Sequence, residues 1–544
     1  MLPWNRDGVP GVGTKSELLG CLMKSYKAFP FLILVACVFL GSCSGLPKGN
    51  GCSGSCGGTA NVSLVLVSDT PPATLGLISF KVVPTAITLT PSTGTATTFN
   101  INNGTGYSYD LVRLQSDTGF VATVPSVPTG TLTSVAVTFS GATLAFFNGT
   151  GLTISNLSQP CLNGTVCVAS FVGPFTSTIT TSQAITGNAG LGIDVNLANC
   201  LTLSGSTLTL NFGNTVALPV TTTFALPRAN SNLATGQLAL IEDITGVVSN
   251  ATNAGVTVTP SASLMNAQAT AALTNASTNY DPDPTNTLCP SGTTVLTSCV
   301  SNGQAASMDA ILNTDGTFTI REIEPLLPNP IVDTVEGTVY SVASSTNPTN
   351  LTQFSMIITN LIPAATNSLI GSLSVGSKFT VNIANSPTPF SVDTKGLLVA
   401  NCCASSYGSF ANATDTTAIH LGQTVAVHVT LFTAASGTTP ASSTVSTATL
   451  RWTRFTANTA IAASGTFTIN ALPGHFGFTQ GITFVVQTFT TGSQGADGIT
   501  NLEGFPGDTA SLTVNSPVAM RALYFQNPGN TLNPAFFAAK VRQH

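Results

Sequence analysis

Charged residues are scarce in this sequence: only 7% of its 544 residues are Asp, Glu, Lys or Arg, against roughly 25% in an ordinary globular protein. The basic residues are scattered and form no Lys/Arg stripe, which argues against a nucleic-acid partner. The helix-favouring residues Glu, Lys, Arg and Gln are few, whereas strand-favouring Val and Thr are abundant. With 43% hydrophobic residues the chain can build cores. The composition therefore predicts an all-β protein with a surface rich in Thr, Ser and Asn.

Residues and motifs that carry catalysis are equally scarce. The chain has four histidines, at 420, 428, 475 and 544, and no Gly-x-Ser-x-Gly motif for a serine nucleophile. The glycine-rich segment Gly187–Gly192 lacks the spacing and the βαβ context of a dinucleotide site. No Cys-x-x-Cys pair supports a zinc site. We predict no enzyme activity, no cofactor and no metal site.

One apolar run stands near the start of the chain, from Ala28 to Gly41. Lys24 and Lys27 precede it, and small residues close it before Cys43, which is the order of a secretory signal. The run is too short for a transmembrane helix, which needs about 20 apolar residues. The closing residues Leu40-Gly41-Ser42-Cys43 resemble the lipobox of bacterial lipoproteins. The resemblance implies that Cys43 is lipidated and becomes the first residue of the mature chain.

This resemblance sets the expected location of the protein. Residues 1–42 would be a lipoprotein signal peptide, with Met23 as an alternative start, and the Gly/Ser-rich residues 43–59 would form a flexible tether. Two acyl chains anchor a protein stably, so the membrane is the first predicted partner. The residue after the cysteine, at position 44, is Ser and not Asp. By the same resemblance, this favours location in the outer membrane or at the cell surface. Polysaccharide or an envelope protein is a further expected partner, and the oligomeric state is not predicted.

Nine cysteines follow Cys43, and export favours disulfides among them. Three local pairs are predicted: Cys52 with Cys56, Cys161 with Cys167, and Cys289 with Cys299. Neighbouring Cα atoms lie ~3.8 Å apart, below the ~4.4–6.8 Å of ordinary disulfides. We therefore expect one of the adjacent residues Cys402 and Cys403 to pair elsewhere, with Cys200 as one candidate.

Short Val- and Thr-rich segments separated by Gly, Pro and Asn fill residues 60–225, the spacing of an antiparallel β-sandwich. Three segments here resemble a bacterial lipoprotein domain family of unknown function: Ser68-Asp69-Thr70-Pro71-Pro72, Tyr109-Asp110-Leu111 and Val127-Pro128-Thr129-Gly130. The resemblance covers roughly residues 60–222. That family has no assigned chemistry, so the resemblance implies a β-sandwich and no site.

The remaining chain contains weak internal repeats. Ile244–Ser249 is similar to Val335–Ser341, and Asp315–Ile320 is similar to Ser464–Ile469. These repeats predict small β-barrel or sandwich modules at 234–328, 329–455 and 456–544, which look like an uncharacterised module of exported bacterial proteins. One long irregular β domain is the alternative. The predicted fold is thus all-β: an N-terminal antiparallel sandwich followed by several small modules and preceded by a signal helix.

Two groups of polar residues deserve a test as metal or acid–base sites. His420 and His428 lie eight residues apart, which places them on one strand face if Gly422 introduces no bulge. Asp281 and Asp283 lie on a proline-stiffened loop, but calcium takes 6–8 oxygen ligands. We interpret the histidines as structural or surface residues and the loop as a turn.

Two further groups concern carbohydrate. Glu322 and Glu324 share a strand face, yet adjacent carboxylates on one strand rarely face a common sugar bond. Trp452, Tyr524 and Phe525 are candidates for stacking on a sugar, with core packing as the competing interpretation.

The sequence therefore predicts an exported, lipid-anchored β protein of the cell envelope that acts as a non-enzymatic binding or structural module. Two alternatives remain open. A carbohydrate-binding or adhesive surface protein would need an exposed row of aromatic side chains. A hydrolase with a site between modules would need carboxylates or histidines that converge from distant segments.

Overall fold

Strands run from Thr59 to Gln543 in the computed structural model, and they account for about 62% of it against 8% helix, so the predicted all-β class is confirmed. The structure describes residues 58–72, 75–149, 151–154, 161–205, 207–211, 220–221, 233, 236–252, 255–260, 279–280, 300–326, 332–343, 352–364, 366–383, 390–399, 404–413, 416–478, 481–489, 500–525 and 535–543. Residues Gly57–His544 form one compact unit.

The first part of the unit, which we call the sandwich, contains three sheets. A four-stranded sheet has the order β12-β9-β1-β5, and its strands are β1 (Thr59–Ser68), β5 (Gly119–Pro128), β9 (Ala189–Val195) and β12 (Val220–Thr221). A second sheet has the order β3-β2-β6-β8 with β4 beside β2, and its strands are β2 (Gly76–Pro91), β3 (Thr97–Asn100), β4 (Tyr109–Asp110), β6 (Gly130–Asn148) and β8 (Thr165–Ile185). A small third sheet joins β7 (Thr153–Ile154), β10 (Leu201–Ser204) and β11 (Thr207–Leu210).

The next sheet, which we call repeat 1, spans residues 237–325. Its order is β14-β13-β16-β17-β15, and its strands are β13 (Gln237–Thr252), β14 (Gly255–Pro260), β15 (Asn279–Tyr280), β16 (Ala305–Asn313) and β17 (Phe318–Pro325). All pairings are antiparallel except that of β15 with β17.

Two closed sheets follow, repeat 2 (334–451) and repeat 3 (453–543). Repeat 2 has the order β20-β19-β18-β22-β23-β21, and its strands are β18 (Thr334–Val342), β19 (Gln353–Ile362), β20 (Lys378–Ile383), β21 (Phe390–Val392), β22 (Thr424–Thr433) and β23 (Ala441–Arg451). Repeat 3 has the order β26-β25-β24-β28-β29-β27, and its strands are β24 (Thr453–Ile461), β25 (Thr466–Asn470), β26 (Phe484–Gln487), β27 (Asn501–Glu503), β28 (Pro517–Tyr524) and β29 (Phe536–Gln543).

Repeats 2 and 3 share one topology. In repeat 2 a parallel pairing of β20 with β23 closes five strands into a small barrel, and in repeat 3 the pairing of β26 with β29 does the same. A sixth short strand, β21 or β27, pairs in parallel with the same edge of that last strand, further along the chain. In repeat 1, β15 occupies the equivalent position beside β17.

Helices are short in the described residues. The two α-helices are α1 (Leu197–Cys200) and α2 (Ala404–Ala411). Single 3-10 turns lie at Ile101–Gly104, Arg113–Gln115, Thr416–Ala418, Gly474–Phe476 and Thr509–Ser511. No helix among the residues that the structure describes is long and apolar enough to cross a membrane.

The sandwich and repeat 1 share one hydrophobic core, which extends from Ala60 to Ile323. A second core fills repeat 2 and takes in Leu523 and Phe537 of repeat 3, whose own core begins at Phe455. Buried apolar side chains thus cross between neighbouring parts, and the cores do not mark where one module ends. The predicted module boundaries stay predictions.

The sequence similarity between repeats 1 and 2 has a structural basis at one glycine in each. Gly246 of β13 and Gly337 of β18 both lie against a carbonyl oxygen of the neighbouring strand. A Cβ at Gly246 would lie 2.6 Å from Thr259 O, and one at Gly337 would lie 2.5 Å from Ile357 O. Only glycine permits this close approach of two backbones.

Candidate functional site

Thirteen of the 37 charged residues of the chain meet inside the protein, where the sandwich and the three repeats come together. Seven basic and six acidic residues form a continuous set of ion pairs, which we call the ionic core. Its members are Arg113, Asp117, Glu242, Asp243, Glu336, Asp393, Lys395, Arg451, Arg454, Glu503, Arg521, Lys540 and Arg542. No side chain among them is more than 7% exposed.

The sandwich contributes its members through the segment Tyr109-Asp110-Leu111. The side chain of Asp110 accepts hydrogen bonds from the backbone N–H groups of Phe80 (2.9 Å) and Val112 (3.0 Å). The hydroxyl of Tyr109 donates to the carbonyl of Phe120 over 2.6 Å. These bonds hold the start of the 3-10 turn that presents Arg113 to the ionic core. The segment that carries the family resemblance thus supports the ionic core.

Asp243 of β13 has the largest number of cationic neighbours. Its carboxylate lies 2.7 Å from Lys395 Nζ, 3.3 Å from Arg113 Nη2 and 3.7 Å from Arg451 Nη2, and it also pairs with Arg454. Burial alone would raise the pKa of this carboxyl group, but the four cations outweigh burial and hold it well below its usual range. Asp243 is therefore a permanent anion at neutral pH.

Asp117 has the same role for the sandwich. Its carboxylate lies 2.6 Å from Arg454 Nε, 3.4 Å from Arg113 Nε and 3.8 Å from Arg521 Nη1. Burial raises its pKa, but Arg454, Arg521 and Arg113 lower it further than burial raises it. Asp117 thus joins the sandwich to two strands of repeat 3.

The other half of the ionic core lies around Lys540 of β29. Its ammonium group pairs with Glu242 of β13 and lies 3.2 Å from Glu503 Oε1 of β27. Glu503 also accepts a hydrogen bond from Arg542 Nε over 2.9 Å. Burial raises the pKa of Glu242, but Lys540 and Arg521 lower it to about 2. Repeats 1 and 3 are therefore joined by a buried chain of alternating charges.

Arg542 also binds the sandwich, through hydrogen bonds to backbone carbonyl oxygens. Its Nη1 donates to the carbonyl oxygens of Leu114 (3.2 Å), Gln115 (2.9 Å) and Asp117 (3.2 Å). These carbonyls belong to the turn around Arg113–Gln115. One guanidinium group thus satisfies backbone acceptors that would otherwise be buried without donors.

Repeat 2 enters the ionic core through Arg451, at the end of β23. Its Nε lies 3.4 Å from Glu336 Oε2, and its Nη1 pairs with Asp393. Burial lowers the pKa of Arg451, but Glu336, Asp243 and Glu324 raise it further. Arg451 therefore bridges carboxylates of its own repeat to Asp243 of repeat 1.

Equivalent strands of repeats 1 and 3 bury side chains of opposite charge. Strand β17 of repeat 1 buries Glu322 and Glu324. The equivalent strand of repeat 3, β29, buries Lys540 and Arg542. Each pair is spaced by two residues, so both side chains face the same side of their strand. Glu324 also raises the pKa of Arg451, so the acidic face of repeat 1 stabilises a cation of repeat 2.

A cavity of about 20 Å³ lies beside the ionic core, enough for about one water molecule. Asp110 and Arg113 of the sandwich line it together with Glu336, Trp452 and Arg454. In the described part of the chain, Arg113 Nη1 and Trp452 Nε1 have no hydrogen-bond partner. Carboxylates from distant segments therefore converge here, but in a space too small for a sugar or a peptide.

The structure separates the two histidines that the sequence placed on one strand face. His428 lies in β22, whereas His420 lies in the turn before it, where Gly422 has a φ of +86°. Burial lowers the pKa of each to about 4. Gly422 does introduce an irregularity, so His420 and His428 do not lie on one strand face. Among the described residues, no group of three or more His, Cys, Asp or Glu side chains could hold a metal ion.

The carbohydrate candidates are buried. Trp452 and Tyr524 are each 1% exposed and Phe525 is 4% exposed, so they pack in cores and form no exposed row. Glu322 and Glu324 are buried at 3% each, inside the assembly rather than in a groove.

Cys161 and Cys167 form a disulfide in the structure, with 5.5 Å between their Cα atoms. Cys200 is a buried free thiol, and its suggested partners Cys402 and Cys403 lie outside the described residues. Several sequence-predicted residues lie outside the described residues: Cys43, Cys52, Cys56, Cys289, Cys299, Asp281 and Asp283.

The ionic core itself was missed at the level of the sequence. A signal existed: in a chain this poor in charge, Lys540 and Arg542, or Glu242 and Asp243, interrupt strongly apolar strands. Buried charges are almost always paired. Such residues in strand interiors therefore indicate mutual partners, although the sequence does not show which ones.

No protein-family model matches the chain, and neither a curated protein nor a solved structure matches it. Its function is therefore inferred from the fold, the ionic core and the sequence.

Proposed function

We propose that this protein is an exported, lipid-anchored, non-enzymatic scaffold or binding module of the bacterial cell envelope. Cys43 would carry the lipid, residues 43–59 would be the tether, and the β unit beyond them would be held away from the membrane. The single observation that carries the scaffold role is the ionic core. It joins the sandwich to three repeats through thirteen buried charged side chains.

The ionic core favours a structural role because each of its carboxylates already faces cations. Acid–base catalysis needs a group that exchanges a proton near the working pH. Asp117 and Asp243 have pKa values lowered by neighbouring arginines and lysines, and each lies between elements that are far apart in the sequence. Such groups are suited to fixing the positions of the sheets.

Membrane anchoring is tested by expressing the full chain in a Gram-negative host beside a Cys43→Ala variant. Wild-type protein is expected to partition into detergent and to carry acyl mass on Cys43, whereas the variant should stay in the aqueous phase. A wild-type protein whose N-terminal peptide carries no lipid and begins before residue 43 would contradict the anchor.

The two alternative functions are tested with the same purified protein. Retention on polysaccharide or peptidoglycan columns would favour a carbohydrate-binding or adhesive role, which would then use a surface other than Trp452 and Tyr524. Hydrolysis of ester or glycoside substrates that is lost in a Glu336→Gln variant would favour an inter-module hydrolase. The scaffold proposal expects neither result.

A further inference from the structure

The buried amine of Lys540 lies between two carboxylates that come from different strands. Lys540 Nζ contacts Oε2 of Glu242 on β13 and lies 3.2 Å from Oε1 of Glu503 on β27. The three side chains are 0%, 1% and 4% exposed. The sequence distance between Lys540 and Glu242 is 298 residues, so the contact is purely tertiary.

The other oxygen of Glu242 is held by two donors. Asn501 Nδ2 donates to Glu242 Oε1 over 3.3 Å, and Arg521 Nη2 donates to the same atom over 3.4 Å. Donors in this position polarise the carboxyl group and stabilise negative charge that develops on Oε1. The side of Glu242 that carries Oε2 faces the amine. The carboxyl carbon thus has a nucleophile on one side and donors for an oxyanion on the other.

We propose that Lys540 and Glu242 form an intramolecular isopeptide bond. A proton first passes from the Lys540 ammonium to Oε2 of Glu242, which it contacts, and this leaves a neutral amine beside a neutral carboxyl group. The amine attacks the carboxyl carbon of Glu242, so that an N–C bond forms, and Arg521 and Asn501 stabilise the oxyanion on Oε1. Glu503 takes a proton from the nitrogen and gives it to Oε2, the bond from the carbon to Oε2 breaks, and Oε2 leaves as water with both protons. The ammonium and carboxylate become one neutral amide and one water molecule, and no oxidant or co-reactant is needed.

Burial favours this condensation. An ion pair without contact with water bears a desolvation cost that its mutual attraction only partly offsets. The amide removes both charges at once. Fixing the two groups in one place replaces a bimolecular encounter with an intramolecular step, and such steps reach effective molarities of about 10⁵ M or more. Exclusion of water from the site also protects the product from hydrolysis.

Lys395 provides an internal comparison. Its Nζ is also buried, and it lies 2.7 Å from Asp243 Oδ1 and 2.8 Å from Ser307 Oγ. Asp243, however, pairs with three arginines as well, which stabilise its carboxylate on all sides. Lys540 lies between Glu242 and Glu503, so a second carboxylate is placed to take a proton from its amine. We therefore assign the covalent bond to Lys540 and not to Lys395.

The bond is tested on the full wild-type chain by protease digestion of reduced, denatured protein and tandem mass spectrometry. The expected product is a branched peptide that joins the segments around residues 242 and 540 and is lighter than their sum by one water molecule. The corresponding linear peptides should be a minor fraction. Recovery of both linear peptides in full yield, without the branched peptide, would overturn the proposal.

Two variants separate the chemistry from the fold. Glu503→Gln keeps a hydrogen-bond acceptor but cannot take a proton, so the branched peptide should fall at least tenfold while the β circular dichroism spectrum is retained. Lys395→Met is the matched control, because it removes the other buried lysine, and its branched peptide should persist. Loss of the branched peptide in Lys395→Met to the extent expected for Glu503→Gln, with the β circular dichroism spectrum retained, would overturn the assignment. Lipidation at Cys43 does not enter these measurements, so this proposal and the proposed function fail independently.

Discussion

Asp117 Oδ2 accepts a hydrogen bond from Arg454 Nε over 2.6 Å, although 337 residues separate them along the chain. Asp117 follows the turn that the sandwich motif supports, and Arg454 is the second residue of β24 in repeat 3. The same guanidinium group also reaches Asp243 of repeat 1 through Nη2. One arginine thus fixes the sandwich, repeat 1 and repeat 3 to one another.

Replacing Asp117 by Asn tests this arrangement. Asn keeps the size of the side chain but leaves Arg454, Arg521 and Arg113 with less negative charge in a buried place. Breaking a buried ion pair on one side costs about 3–5 kcal/mol. We expect a loss of that size in the free energy of unfolding measured with urea. Asp315→Asn, at an exposed turn, is the control and should change little. Equal effects at both positions would contradict the role of Asp117.

Acid should weaken the ionic core in a defined range of pH. The pKa of Asp117 is lowered from 3.8, and that of Asp243 is held well below 3.8, so the unfolded chain binds protons before the folded one does. Their stabilisation is therefore fully present above pH 3.8 and is lost as the pH falls below it. The free energy of unfolding measured between pH 5 and pH 2 should fall steeply in the wild type. The Asp117→Asn variant should show a shallower fall, and an equal slope would count against the assignment.

His420 and His428 should make the stability depend on pH in a higher range than the aspartates do. Burial lowers the pKa values of His420 and His428 from 6.5 to about 4, so both are neutral in the folded protein at pH 6. The unfolded chain takes up these protons first, so stability is full above pH 6.5 and falls as the pH drops toward 4. A variant with Gln at both positions should lose most of this dependence between pH 6.5 and 4, while keeping the share of buried His475, whose pKa is lowered to about 3, and the steeper fall below pH 3.8. An unchanged slope between pH 6.5 and 4 would show that the two side chains do not titrate as inferred.

Asp69 should behave in the opposite way. Burial raises its pKa from 3.8 to about 7, in spite of the hydrogen bond that its carboxylate accepts from Leu197 N over 2.7 Å. Its contribution to stability is full below pH 3.8 and is lost as the pH rises through 7. Asp69→Asn keeps the acceptor and removes the charge. The variant should be more stable than wild type by roughly 1 kcal/mol at pH 8, after screening by water is allowed for, and little changed at pH 4.

The sequence predicted the local structure but not which distant side chains contact one another. Alternating Val and Thr with frequent turn residues predicted the all-β class, and the similarity around Gly246 and Gly337 pointed to equivalent strands because both glycines allow a close backbone approach. The ionic core depends on contacts such as that between Arg454 and Asp117, and strand periodicity carries no information on which distant strand faces which. His420 and His428 show the same limit at short range, since the turn at Gly422 removed the even spacing from one face.

Gly337 offers a direct test of the similarity between repeats 1 and 2. A Cβ at this position would lie 2.5 Å from the backbone oxygen of Ile357 and 2.9 Å from the side chain of Met356, so β18 and β19 would have to separate. Overpacking of this kind costs about 1–3 kcal/mol. We expect Gly337→Ala to lower the free energy of unfolding by that amount, and Gly246→Ala to do the same because its Cβ would meet Thr259 O at 2.6 Å.

Gly371→Ala is the matched control for both glycine variants, since a Cβ there meets nothing within 4 Å. Alanine at this exposed position restricts the unfolded chain and should leave stability unchanged or raise it slightly. If the Gly337 and Gly246 variants are as stable as the Gly371 variant, the close approach of the paired strands does not explain the recurring glycine. If both lose stability together, the two repeats share a backbone constraint that the sequence similarity records.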